Sequence, residues 1–417
     1  MNSILKEASD CRQWQDFLAY KLERRHLSAW EEQELRSFIE RRAYIPLCAQ
    51  AEAGEFPGQL PHKKTINKEG SRKKRVVYSF PGDEGIFLKF IAWKLHRFDR
   101  YFSGNCYAFR QNYGVYQAIR RLRLDSRVPK CYCLKADISN YFNSIRVDLL
   151  LDKLTFVAED DPLLYRIFAR ILLEDRVVEQ GHVVTDLHGA MAGIPISPFF
   201  ANVYLAELDK SYAAQRLLYF RYSDDILLFA DTLEELMQRQ EELSHRICAL
   251  GLSFNPDKVQ IYPPGEKLEF LGFSCQNGRI DLSEHTVSKT KHKIKRKAEA
   301  LRRWQRRKEL TPDKAAIGLI HSMNRKFYGN ACPADITTEE DALDEFTWSR
   351  WFFPNLTVDT GLKTIDCYLQ EYIRYCVTGR HYKGNYRISY DTLKQWGYCS
   401  LVHEYYGARR HINGTKE

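Results

Sequence analysis

Leu217-Leu218-Tyr219-Phe220-Arg221-Tyr222-Ser223-Asp224-Asp225-Ile226-Leu227-Leu228-Phe229-Ala230 sets two adjacent carboxylates between two apolar runs. Two β-prone runs around a short polar break predict a hairpin, with Asp224 and Asp225 at its tip. A third carboxylate, Asp137, closes another β-prone segment, Cys131-Tyr132-Cys133-Leu134-Lys135-Ala136-Asp137. Three carboxylates on neighbouring strand ends form a hard-oxygen donor set suited to two Mg²⁺ ions and in-line phosphoryl transfer. A polar surface turn would account for Asp224-Asp225 but would leave Asp137 unexplained.

Composition bounds the rest. A chain of 417 residues, 44% hydrophobic and 28% charged, has enough apolar material for two or three packed subdomains and is not a disordered composition. No run approaches the roughly 18 uncharged apolar residues that a membrane span needs, and the first residues lack a signal-peptide core, so a cytoplasmic protein without membrane contact is expected. Eleven cysteines without a Cys-x-x-Cys pair argue against a disulfide framework or a zinc knuckle. Cys131 and Cys133 fall on one face of a strand, as core residues do.

The net charge of +9 is concentrated. Lys289 to Lys308 hold eleven Lys/Arg and one acid, which leaves about −1 for the remaining chain. A second cluster, Lys63 to Arg75, has seven basic residues and one acid. Both are candidate tracks for a phosphate backbone; a solvated helix face and a polar loop are the plain alternatives.

Residues 1–55 read as an N-terminal helical cap, with Trp14, Phe17, Leu18 and Leu22 at helical spacing. Arg75 to Phe80 reads as a strand, Ile86 to Tyr101 as a helix, and Val177 to Val184 as a second hairpin. Strands between 130 and 285 alternate with helices near 146–174, 198–213 and 232–250. This order suggests an α+β sheet layered on helices. Ser197-Pro198 has the form of a hydroxyl N-cap followed by a helix-opening proline. Beyond 286 the pattern turns helical. Near the end, Arg380, Tyr382, Lys383, Tyr386 and Arg387 form an aromatic-basic group of the kind that contacts RNA; a packed helical subdomain is the alternative.

In chain order, Asp137, Gly193-Ile194-Pro195-Ile196-Ser197-Pro198, Tyr222-Ser223-Asp224-Asp225, Lys258 and Leu268-Glu269-Phe270-Leu271-Gly272-Phe273 resemble the ordered motif set of reverse transcriptases over about residues 63 to 330. The resemblance implies an α+β right-hand polymerase with fingers, a palm of antiparallel sheet on helices, and a helical thumb. Its boundaries would be fingers 56–130, palm 131–285 with a fingers insertion at about 146–190, and thumb with C-terminal extension 286–417. It implies a two-metal Mg²⁺ site, with Mn²⁺ a substitute, on Asp137, Asp224, Asp225 and the backbone carbonyl of Ile138; Asp225 is either a ligand or a charge-balancing neighbour. Phe142 falls where the family places an aromatic gate against the 2′-hydroxyl, or else is core. Lys73, Arg75, Arg110 and Gly193 match nucleotide- and template-contacting positions. Lys258 matches a lysine near the leaving pyrophosphate, either a general acid or a surface lysine. Tyr222, the Leu271-Gly272 primer-grip turn, and Lys293, Arg296, Lys297, Arg303 and Arg307 on the basic helix would meet nucleic acid.

Met191-Ala192-Gly193 stands where retroviral, retron and intron-encoded enzymes carry Pro-Gln-Gly. The Gly-Ile-Pro form is instead similar to the bacterial defence-associated (unknown-group and abortive-infection) class, type 2 included. The short C-terminal extension and the absence of a maturase, endonuclease or RNase H module fit that class. It implies a structured non-coding RNA template, a cDNA product, deoxynucleoside triphosphates and an antiphage role. Rival readings are a retron or group II intron-like enzyme, a template-independent polymerase primed on a protein hydroxyl such as Tyr398, Tyr405 or Tyr406, and an RNA-binding protein without synthesis. Oligomeric state is not encoded in any of these motifs.

Overall fold

The computed structural model describes residues 3–23, 27, 29–67, 74–329 and 347–414. Packing divides the chain into two compact units: Met1–Leu22, Leu27–Ala118 and Ser126–Pro264 form one, and Glu23–His26, Ile119–Asp125 and Gly265–Glu417 the other.

The first unit opens with helices α1 (Ile4–Ala8), α2 (Cys11–Glu23), α3 (Ala29–Glu40) and α4 (Tyr44–Ala53), then strands β1 (His62–Asn67) and β2 (Lys74–Ser79) and helix α5 (Gly82–Lys94). After α6 (Val115–Leu124) come β3 (Tyr132–Asp137), α7 (Tyr141–Ser144), α8 (Val147–Lys153), α9 (Thr155–Asp160), α10 (Pro162–Leu173) and the hairpin β4 (Arg176–Glu179) with β5 (His182–Thr185). Helices α11 (Ser197–Tyr204) and α12 (Ala206–Ala214) precede β6 (Tyr219–Tyr222) and β7 (Asp225–Ala230), and α13 (Leu233–Ala249) leads to β8 (Gln260–Tyr262).

Two sheets result. One runs β2-β1-β4-β5, so residues 176–185 complete the sheet begun by residues 62–79. The other, antiparallel, runs β6-β7-β3-β8 and packs on α12 and α13. Its central strand β7 is a continuous apolar run because nearly every residue is buried, which a strand covered on both faces requires.

The N-terminal helices pack within the first unit. Trp14 is fully buried, its ring stacks on Phe90 of α5 at 4.2 Å, and its indole N–H donates to Ala8 O at 2.7 Å. They share one hydrophobic core with α10, β3 and β7. A single carboxylate fastens this junction. Asp161 caps α10 by accepting from Leu164 N at 3.2 Å, and it also accepts from Ser3 Oγ at 2.9 Å and Ile4 N at 2.7 Å, serving the first turns of two helices.

The second unit begins with the meander β9 (Leu268–Phe270), β10 (Phe273–Gln276) and β11 (Arg279–Leu282), followed by α14 (Glu284–Arg307), α15 (Pro312–Tyr328), α16 (Trp348–Trp351), α17 (Thr360–Thr378), α18 (Tyr390–Gln395) and α19 (Leu401–Gly414). Helices α14, α15 and α17 pack on one another. On α14 the stripe Thr290, Ile294 and Ala298 is buried at four-residue spacing, so its lysines and arginines are left to the other faces. The division after Pro264 differs from the expected boundary at 285. The meander goes with the helices because Ser283 N and Thr286 Oγ1 both donate to Gly272 O at 2.9 Å, and Gly361 N donates to Asp281 Oδ1 at 3.0 Å. Among the described residues no helix is long and apolar enough to cross a membrane.

Asp161→Ala strands two buried backbone donors and the half-buried Ser3 hydroxyl and should cost about 2–4 kcal/mol in denaturant unfolding, with limited proteolysis opening first at the N-terminal helices. Asp161→Asn, which keeps one acceptor oxygen, should recover part of the loss.

Candidate active site

Register fixes the acidic residues. Tyr222 pairs with Asp225 across β6 and β7, which leaves Ser223-Asp224 as a two-residue turn with Ser223 at φ +60°, a left-handed conformation disfavoured for a residue with a side chain. On the other side of β7, Asp225 pairs with Asp137 of β3, and Ile138 N donates to Asp224 O at 3.1 Å. Asp137, Asp224 and Asp225 therefore come together at one end of the antiparallel sheet.

The turn is held from beneath. Arg221 is completely buried and pairs with equally buried Asp209 of α12: Nε donates to Asp209 Oδ1 at 2.9 Å and Nη2 to Oδ2 at 2.5 Å. Nη1 donates to Ser223 O at 3.2 Å and to Asn202 Oδ1 at 3.3 Å, and Nη2 also reaches Cys106 Sγ at 3.1 Å. Burial works against the Arg221 charge, but Asp209 outweighs it and holds the guanidinium well above its ordinary pKa. The backbone joins in, with Arg221 N donating to Asn105 O and Tyr107 N to Arg221 O, both at 2.9 Å. Sequence reading passed over Arg221 and Asp209. A lone arginine inside an apolar strand next to the acidic turn was the available signal.

Lys258 closes the other flank. It ends a short 3₁₀ turn, Pro256–Lys258, and its Nζ donates to Asp137 Oδ2 at 2.5 Å. The turn is docked on β3 by Asn255 N donating to Asp137 O at 2.8 Å and Ser139 N to Ser253 O at 2.9 Å. Burial first, then the Asp224 and Asp137 carboxylates, pushes Asp225 up to about 6. Burial and Asp137 likewise raise Asp224. Burial lowers Lys258, but the bond to Asp137 and the neighbouring acids more than offset this, so its pKa is raised.

Mutually repelling carboxylates around one lysine suit a hard divalent cation. Among the described residues no three His, Cys, Asp or Glu side chains converge closely enough to form a metal cage, and Asp137 is paired with Lys258. The donor set fits a divalent ion in type and charge, with Lys258 competing for Asp137.

These residues lie within the stretch, 66–275, that matches the family described as reverse transcriptase (RNA-dependent DNA polymerase), half of the chain. The chain belongs to the reverse transcriptase family. It is 28% identical to the retron Ec86 reverse transcriptase of Escherichia coli over 106 residues, 24% of this chain and 33% of that protein. It is 26% identical to Protein P of Gorilla hepatitis B virus (isolate Cameroon/gor97) over 132 residues, 31% of this chain and 15% of that protein. The matches thus span a third or less of those relatives. Apo telomerase from Candida Tropicalis aligns over 86% of this chain and 64% of its own, with TM-score 0.48 and 12% identity. The fold is the right-hand polymerase fold of the reverse transcriptases, with its antiparallel sheet carried on helices.

Other positions singled out by the resemblance divide. Phe142 is half-buried, and Phe109 lies edge-on to it at 6.3 Å and 6.5 Å from the Tyr222 ring, so three aromatics gather beside the acidic turn. Tyr141 is core, its hydroxyl donating to Ala201 O at 2.5 Å. Burial alone pushes the half-buried Tyr222 up to about 12. Arg75 is exposed on β2, and Lys73 lies outside the described residues.

Arg110 departs from the reverse transcriptase expectation. Its guanidinium is buried, with Nη1 donating to Ser103 O at 2.7 Å and Cys106 O at 2.9 Å, Nη2 to Asp99 O at 3.0 Å and Nε without a hydrogen-bond partner, and it lies 3.8 Å from the centre of the Tyr113 ring, so it clasps its own loop. Gly193 has an internal reason to be glycine. At φ +112° a Cβ would lie 2.8 Å from Tyr78 O, so the close approach it permits is to β2. Ser197 is not an N-cap. It lies inside α11, and its buried hydroxyl donates to Ala190 O at 2.6 Å and Met191 O at 2.5 Å.

In the second unit, Leu271 (φ +52°) and Gly272 (φ +87°) form a tight reversal, with Trp351 Nε1 donating to Leu271 O at 3.4 Å. Arg296, Lys297, Arg303 and Arg307 are exposed on α14, and Lys293 is half-buried.

Arg221→Lys keeps the charge opposite Asp209 but cannot reach every partner, so the protein should stay folded while nucleotide incorporation falls on the order of tenfold to a hundredfold. Asp209→Leu with Arg221→Met should regain stability in a melting experiment without regaining incorporation.

The raised carboxyls give a pH signature. A folded-state pKa of about 6 for Asp225 means that its stabilising contribution is present below the ordinary carboxylate range and disappears as pH rises through about 6. Metal-free protein should therefore lose more Tm between about pH 5 and about pH 7 than Asp225→Asn does, and Mg²⁺ should stabilise the wild type at the upper pH only. Equal losses in the two proteins would contradict this.

Proposed function

We propose that this chain is an RNA-templated DNA polymerase that copies a structured non-coding RNA into cDNA from deoxynucleoside triphosphates. The observation that carries the reading is the register pairing of Asp137 with Asp225 beside the Asp224 turn, in a chain of the reverse transcriptase family. Asp137, Asp224 and Asp225, with the Ile138 carbonyl, are the residues that would hold Mg²⁺ or a substituting Mn²⁺. When bound, such ions neutralise the triphosphate and favour attack by a 3′-hydroxyl.

The protein's own part is positioning. The Arg221–Asp209 pair keeps the Asp224 turn fixed while charge redistributes. Lys258, next to Asp137, is placed to exchange a proton with a departing oxygen once it leaves the carboxylate. Phe142, braced by Phe109, sits as a barrier to a 2′-hydroxyl. In this reading β1, β2, β4 and β5 belong to the fingers, the β6-β7-β3-β8 sheet to the palm, and the second unit to the thumb, where the exposed arginines of α14 track a duplex by its phosphates. Arg75 remains a candidate for the triphosphate.

Within the family we place the chain in the bacterial defence-associated class, supported by Met191-Ala192-Gly193-Ile194-Pro195 in place of a Pro-Gln-Gly segment. The match to a retron enzyme of Escherichia coli favours a second reading, a retron-like reverse transcriptase. Priming on a C-terminal tyrosine is disfavoured: the hydroxyls of Tyr398, Tyr405 and Tyr406 donate to Asp366 Oδ1, Leu356 O and Asp359 Oδ2 at 2.9, 3.0 and 3.1 Å.

Asp224→Ala with Asp225→Ala should abolish incorporation of labelled deoxynucleotides and leave RNA binding intact. Sequencing the nucleic acid that copurifies with wild type should return one abundant RNA with complementary DNA, and that DNA should be missing from the double variant. Synthesis by the double variant would sink the reading.

A further inference from the structure

The second unit carries an open concavity of about 830 Å³ between α14, α17 and the turn at 380–387, built from residues that the polymerase site does not use. Two large rings stand at its rim. Tyr386 is 75% exposed and Tyr382 is 55% exposed, unusual for side chains that could have packed inward. Both are braced. Arg374 is buried, its Nε donates to Ile388 O at 2.9 Å and its Nη1 to Gln370 O at 3.3 Å, and its guanidinium lies 5.4 Å from the centre of the Tyr386 ring. A Cβ on Gly384 would fall 2.2 Å from the Tyr382 ring, so that ring packs closely on the turn at Gly384.

Charge points the same way. Lys291, Lys363, Arg374 and Lys383 line the concavity against one carboxylate, Glu371, which is itself held by His381 Nδ1 at 2.7 Å. Lys363 shares Asp359 at 3.1 Å, outside the lining. Ordered rings with an excess of cations match the demands of unpaired bases joined by phosphates: a π-face for each base and positive charge along the backbone.

We propose that this concavity binds a single-stranded segment of RNA. The choice of RNA rests on the polymerase reading, since the product DNA is paired as it forms and the strand left unpaired is template. Tyr382 and Tyr386 stack on bases, and Lys291 and Lys383 meet phosphates.

The test uses the full chain and a short oligouridylate carrying 4-thiouridine. Photocrosslinks located by mass spectrometry should fall on the 380–387 peptide. Tyr382→Ala with Tyr386→Ala should remove them and weaken binding of the same oligomer, read by anisotropy, about tenfold or more. Tyr382→Trp with Tyr386→Trp should retain both, which a merely structural role for the tyrosines would not predict. Crosslinks confined to other peptides, unchanged binding in the alanine variant, or equal crosslinking by the thio-substituted DNA oligomer would overturn the proposal; the first two would leave the concavity to a protein partner. Incorporation on a preformed short RNA–DNA hybrid separates the two levels. It should be unaffected in the alanine variant, and its absence in wild type would defeat the polymerase reading while crosslinking still decides this site.

Discussion

A buried arginine organises the centre of this protein. Guanidinium has five N–H donors, and Arg221 finds a partner for each: Asp209 for Nε, Asn202 and the Ser223 carbonyl for Nη1, Asp209 and Cys106 for Nη2. Removing such a charge from water costs several kcal/mol unless pairing and hydrogen bonds are complete, so the four surrounding elements must arrive together. Helices α11 and α12, strand β6 and the 105–108 segment meet at that point. The strained Ser223 is one of the partners. The same interaction that requires the assembly therefore dictates the conformation of the acidic turn.

Asp209 also explains why the turn keeps its negative character. Because it neutralises Arg221 in place, the guanidinium fixes the Asp224 turn through Ser223 O without lending its charge to the carboxylates. Lys135 and Lys258 are the cations that draw Asp225 back, and its carboxyl still stays at about 6. The surplus negative charge has to be met from outside the chain. Lys258 meets part of it by holding Asp137, so a divalent cation that took this oxygen would have to displace the lysine.

Local pattern made some of this legible and long-range pairing hid the rest. The 217–230 hairpin, Asp137 at a strand end and the Leu271-Gly272 reversal follow from apolar runs, turn residues and an ordered motif, all readable within a few positions. Arg221–Asp209 joins a strand to the preceding helix through side chains, and composition says nothing of it. Arg110 misled because an arginine suited to phosphate is equally suited to backbone carbonyls, and only the folded 99–113 loop decides between them. Ser197 obeyed the capping rule in sequence and not in space, since two buried carbonyls compete for its hydroxyl. The β9-β10-β11 meander looks like palm by strand pattern alone. Its allegiance is set by contacts to Thr286 and Gly361, which no strand propensity contains.

The segment where the chain departs from Pro-Gln-Gly shows which part of that motif the fold itself requires. Ala190 N donates to Phe142 O at 2.8 Å, Ala192 N to Asn143 Oδ1 at 3.0 Å, and Tyr78 N to Ala192 O at 2.8 Å. With Ser197 gripping the carbonyls of 190 and 191, the segment becomes a backbone strap between β2 and α7. Every one of these bonds uses main chain on the strap's side, so Met191 and Ala192 can replace larger or polar residues without loosening it. Gly193 cannot be exchanged so freely, because β2 passes where its Cβ would be. The strap ends on the carbonyl of Phe142 itself. A departure that reads as the loss of a polar contact thus leaves intact the mechanical link that holds Phe142 beside the acidic turn, and it places the Met191 side chain in the hydrophobic core.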